Sequence, residues 1–156
     1  MKKYLYLFTV VSICFGLYSC EKKEEEKTPS ELIIGTWRLT AAVSSPAADW
    51  DGDGNPETDY FSAVYTEQCS KDDDLIFNAN NTLTVNPNIL CQGQTSADYD
   101  FSIDWSIPNA TQLVLTTDGE VSNLNNFSVN ETTLSYSESE TINGTSYTIT
   151  WTYTKQ

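Results

Sequence analysis

Asp49, Asp51, Asp53, Glu57 and Asp59 crowd into one short run, with Gly52 and Gly54 between them. Carboxylates at alternate positions, with glycine for a tight turn, are what the first half of a calcium loop requires. Calcium takes roughly six to eight oxygen ligands, and such a run can begin to supply them. It is not an EF-hand: the twelfth position counted from Asp49 is Tyr60 rather than a bidentate glutamate, and no flanking helices are legible. The five acids are therefore the expected ligands of a looser structural calcium site, with Asp72 or Asp73 as further donors. Packed this closely, they repel one another unless a cation or solvent screens them. The competing reading is a hydrated loop without an ion.

Catalytic chemistry has little to work with. The chain contains no histidine, which removes Ser-His-Asp and Cys-His catalysis and every histidine-ligated zinc or iron site. Among carboxylates, Asp100 and Asp104 share one face of an expected strand, but four strand residues separate them by roughly 13 Å. Glycosidase carboxylates sit about 5 to 9.5 Å apart. We expect no catalytic residues and no enzyme.

Of the four cysteines, two belong to the N-terminus. Lys2 and Lys3 precede an apolar run from Tyr4 to Leu17, and a small residue, Ser19, stands before Cys20. The run is shorter than the ~20 residues that span a bilayer as a helix. This arrangement resembles a bacterial lipoprotein signal, in which residues 1–19 are removed and Cys20 carries the lipid. An uncleaved membrane helix is the alternative. Residues 20–31 are dense in Glu and Lys and are expected to form a disordered tether. The protein is then held at the membrane by lipid, outside the cytoplasm. Acidic and lysine-rich residues after Cys20 also resemble the export signal of outer-membrane lipoproteins, periplasmic or surface-exposed. A net charge of −14 makes nucleic acid an unsuitable partner.

Residues 32–156 are enough for one ordinary domain, expected to act as a monomer. Helical spacing is nearly absent, while period-two alternation is strong. Tyr99, Phe101, Ile103, Trp105 and Ile107 alternate with Asp and Ser, and Tyr147, Ile149, Trp151 and Tyr153 alternate with Ser and Thr. Weaker alternation at 35–43, 112–117, 125–130 and 132–138, with turn signals between, adds further strands. Asp74 to Asn78 and Thr82 to Asn86 read as a hairpin. Pairing residues whose numbers sum to 160 sets Phe77 against Leu83 and Leu75 against Val85, all on one face. Cys69 and Cys91 obey the same sum, so a disulfide would clamp the hairpin base; two free thiols are the alternative. The count is eight antiparallel strands, which suits an all-β up-and-down barrel because closure removes unpaired edges. A sandwich competes.

Gly35-Thr36-Trp37 opens the first strand, and a Gly-x-Trp there resembles the lipocalin signature. The acidic loop, then Cys69-Ser70-Lys71-Asp72-Asp73 leading to Phe77, then Cys91, resemble in order the lipocalin-like domain of bacterial lipoproteins. The resemblance implies an eight-stranded barrel with one open end and a ligand it does not define; non-catalytic binding of a small, mainly apolar molecule through that end is our expectation. Two features depart from wider lipocalins: Thr58-Asp59-Tyr60 spells their second motif far too early, and the last strand carries Lys155 where an arginine packs on the signature Trp. Tyr99, Phe101, Trp105, Tyr147 and Trp151 are the residues expected to line the cavity. A filled barrel that contacts an envelope protein or glycan is the rival reading.

Overall fold

The computed structural model describes residues 26–65 and 67–156. Cleavage after residue 19, acylation of Cys20 and the first part of the tether lie outside the described residues. The tether is not irregular to its end. Thr28 caps a short helix, α1 (Pro29–Leu32), in a reciprocal box with Glu31, and Pro29 opens it. The packed domain therefore starts a few residues before position 32.

Nine strands follow: β1 (Gly35–Ala48), β2 (Glu57–Asp59), β3 (Asp74–Phe77), β4 (Thr82–Asn86), β5 (Ile103–Asn109), β6 (Gln112–Thr117), β7 (Glu120–Val129), β8 (Thr133–Ile142) and β9 (Thr145–Lys155). A second short helix, α2 (Tyr60–Val64), follows β2. Strands β3 to β9 pair with their sequence neighbours, and β1 pairs with both β3 and β9. That last pairing closes an eight-stranded antiparallel barrel with no free edge. The ninth strand, β2, lies outside the circuit as a flap on the upper end of β1.

The hairpin has the expected register, with Leu75 opposite Val85 and Phe77 opposite Leu83. Cys69 and Cys91 are disulfide-bonded, their Cα atoms 5.2 Å apart. Four strands differ from expectation and β2 was not foreseen; β1 and β8 run on past Val43 and Glu138 to Ala48 and Ile142. β5 starts at Ile103, not Tyr99, because Thr95 and Asp98 cap each other and wind Ser96–Tyr99 into a 3-10 turn. β7 starts at Glu120, and Asn126 at φ 51° inserts a bulge. Leu124 and Phe127 can then both face inward although three residues apart, which breaks the alternation.

Lengthwise the barrel has two halves. Ile33, Trp37, Phe77, Leu83, Trp105, Leu113, Leu124, Phe127, Leu134 and Tyr153 form one buried cluster towards the end where α1 meets β5 and β7. This end is closed. The connections Ala48–Glu57, α2 and the segment between β4 and β5 gather at the other.

Candidate functional site

The closed end is built from the signature. Trp37 is fully buried and its indole N–H donates to the Ile33 carbonyl at 2.6 Å. Lys155 Nζ lies 4.9 Å from the centre of the Trp37 ring and donates to the Leu32 carbonyl at 2.9 Å, so lysine fills the place of the missing arginine. Gly35 is required beside it: at φ +135°, a Cβ would stand 2.8 Å from Lys155 Cε.

At the open end the inward residues follow from the ladders. Leu39 is opposite Tyr153, Ala42 opposite Trp151 and Ser44 opposite Ile149 on β1 and β9. On β8, Tyr136 is opposite Trp151, Glu138 opposite Ile149 and Glu140 opposite Tyr147. Leu39, Leu75, Leu115, Tyr136 and Trp151 face inward yet are only partly buried against the core. Above them aromatic rings meet edge to face. Trp50 contacts Tyr60 at 4.9 Å and Tyr147 at 5.1 Å, and Trp151 contacts Tyr60 at 5.6 Å and Tyr65 at 6.3 Å, between centroids. The Trp50 indole N–H donates to Ser44 Oγ at 2.8 Å. The start and end of α2 and the acidic loop thus form an aromatic lid over the mouth.

Polar groups under this lid are incompletely matched. Trp151 Nε1 is buried without a hydrogen-bond partner, as is Asp73 Oδ1. The hydroxyls of Tyr136 and Tyr153 lie 3.1 Å apart under stacked rings. Burial pushes the Tyr153 phenol up to about 12, and burial together with the neighbouring Tyr153 pushes that of Tyr136 higher still. Burial, then the charges of Asp72 and Asp74, raise the Asp73 carboxyl. Asp74 is the opposite case. Burial opposes its charge, but hydrogen bonds from Arg38, 2.9 Å to each oxygen, and from Asn88 hold its carboxyl below the ordinary value.

The five expected lining residues separate. Trp151 faces inward under the lid and Tyr147 packs at the rim. Trp105 instead belongs to the solid floor, 5% exposed, with its indole donating to the Thr82 carbonyl and its ring 5.8 Å from Phe77. Tyr99 and Phe101 lie in the β4–β5 connection. Phe101 is 42% exposed, and Tyr99 lines a separate cavity of about 560 Å³ with Val85, Pro87 and Leu90. Tyr60, Tyr65, Tyr136 and Asp73 had not been assigned to the mouth. Tyr136 was legible in the alternation of β8; the lid tyrosines carried no periodic signal.

Within the acidic loop, carboxylate oxygens of Asp49, Asp51, Asp53 and Glu57 lie within 4.8 Å of one another. Asp49 accepts N–H groups of Gly52 at 2.8 Å and Gly54 at 3.0 Å, while Glu57 accepts that of Trp50. Asp59 stands apart, capping α2 through the Ser62 N–H at 2.9 Å. Asp72, 6% exposed, and Asp73 do not join the group.

A family model described as "Lipocalin-like domain" matches residues 33–136, from the floor of the barrel into β8. No curated protein and no solved structure matches. With the signature floor, the closed eight-strand circuit and this match in agreement, the chain belongs to the lipocalin-like domain family.

Proposed function

We propose that this protein is a cell-envelope lipoprotein, anchored through Cys20, whose barrel binds a small, mainly apolar molecule through its open end without catalysis. One observation carries the reading: inward-facing Leu39, Leu75, Leu115, Tyr136 and Trp151 remain partly exposed beneath a lid of aromatics, although the same faces are sealed at the floor. Apolar surface turned inward and left uncovered is what a concave ligand site presents. Membership of a fold family that generally binds small hydrophobic ligands supports it. Native mass spectrometry of protein extracted from its own host tests it. A co-purified small molecule, lost when Trp151 is replaced by Ala, is the expected result; a ligand-free barrel whose upper half proves filled would favour the scaffold reading instead.

A structural calcium ion held by Asp49, Asp51, Asp53 and Glu57 belongs to the same proposal. Their oxygens converge, and the ion's charge would offset their repulsion. Asp59, engaged with α2, is left out of the set. Because Trp50 and Glu57 link this loop to the lid, the ion would steady the mouth.

A further inference from the structure

We propose, on the reading that the barrel binds a small, mainly apolar molecule, that this molecule carries an uncharged or cationic hydrogen-bond-donating head, an amine or an alcohol, and that fatty-acid carboxylates are rejected. Asp73 supplies the principal acceptor. Phe77 and Leu75 face inward while Asp74 pairs with Arg38 outside; the same alternation, continued one residue beyond the start of β3, turns Asp73 toward the lumen, where Tyr65 feels its charge, and its Oδ1, like that of Asp72, is buried and unpartnered. Trp37 stands opposite Leu75; continuing that register sets Asp73 beside Leu39 on β1. Trp151 lies one strand to the other side of β1, opposite Ala42. Two strand spacings and an offset of two residues along β9 put the Asp73 and Trp151 Cα positions roughly 12 Å apart, within the span of one small molecule.

The remaining groups facing this space are also acids or weak donors. Glu138 and Glu140 follow Tyr136 on the same face of β8 and stand exposed at the rim. Tyr65, whose ring touches Trp151, is close enough to Asp73 and Glu138 to feel both charges, and Tyr60 feels Glu140. In the Tyr136–Tyr153 pair only one hydroxyl proton can be used between the two oxygens. Positive charge is committed elsewhere among the described residues. Lys27 pairs with Glu131, Arg38 with Asp74 and Lys155 with the floor, while Lys71 sits 5.4 Å over the Phe61 ring. A carboxylate entering the lumen would lose its hydration and meet three acids with no compensating cation. An ammonium or hydroxyl would satisfy Asp73.

Decylamine, decanol and decanoate, equal in apolar body, distinguish these heads when each displaces Nile red from the purified full chain at pH 7. Decylamine and decanol should compete, and decanoate should be at least about tenfold weaker. Asp73→Asn should weaken decylamine about tenfold and decanol less than about twofold. Glu138→Gln should give a smaller loss for decylamine in the same direction. Decanoate binding as tightly as decylamine, or decylamine indifferent to Asp73→Asn, overturns the head-group assignment while leaving the binding reading intact. If none of the three probes competes, the binding reading itself falls.

Discussion

Ionised Asp73 carries its charge in partly buried surroundings beside two further aspartates, and its sign of titration is opposite to that of Asp74. A carboxyl raised in the folded state holds its proton to higher pH than the unfolded chain does, so stability is lost as pH rises through the folded value. Asp73→Asn removes that loss. Its melting temperature at pH 7 should exceed that of the parent by roughly 2 to 4 °C, with the difference vanishing below about pH 4, where both chains are uncharged at this position. Asp74, lowered in the folded state, stabilises above about pH 4 and loses that contribution as pH falls through its folded value. Asp74→Asn should therefore destabilise at pH 7 by about 1 to 2 kcal/mol and converge on the parent in acid. Thermal melts over pH 2 to 8 would check both. A substitution that stabilises the fold and weakens amine binding would mark Asp73 as a residue kept for function.

At the scale of elements, the disulfide clamps the base of the β3–β4 hairpin, at the end away from the two β4–β5 pairs, Thr82 with Asp104 and Leu83 with Ile103. Closing a loop with a sequence separation of 22 is worth roughly 3 kcal/mol in the chain-entropy model. Cys69→Ser with Cys91→Ser should lower stability by about that amount in denaturant titrations, with exchange of β4 amides accelerating first. The lid answers to a different measurement. Trp37 and Trp105 are sealed in the floor, whereas Trp50 and Trp151 belong to the mouth. Tyr65→Ala should increase acrylamide quenching of tryptophan fluorescence at an expense of about 1 kcal/mol in global stability. Unchanged quenching would mean that Tyr65 does not cover the lumen. Millimolar calcium added to chelator-treated protein should raise the melting temperature and reduce the same quenching, and Asp51→Asn with Asp53→Asn should abolish both responses.

For the molecule as a whole, α1 sets the N-terminal side of the domain at the closed end, opposite the mouth, and the proposed anchor at Cys20 is open to a direct test. Cys20→Ser should shift the protein from the membrane to the soluble fraction while leaving Nile red affinity unchanged; retention at the membrane would remove the anchor. Much of this architecture was legible beforehand. Period-two alternation and the shared register sum found the strands, the hairpin pairing and the disulfide, because inward and outward residues must alternate wherever one face is wet. Gly35, Trp37 and Lys155 foretold the floor. Local capping and bulging were harder: Tyr99 and Phe101 alternate like a strand, but the Thr95–Asp98 box winds the chain the other way, and the Asn126 bulge hides Leu124 behind polar neighbours. By itself, then, the sequence determined the antiparallel strands and the hairpin register on which the clamp and the barrel reading rested, since these follow from local periodicity and pairwise matching. Only tertiary structure decided that β1 and β9 close a barrel rather than a sandwich, which aromatics fill the floor and which close the mouth. Those placements depend on strand curvature and on loops folding back over the barrel, contacts between residues far apart in the chain that no local pattern encodes.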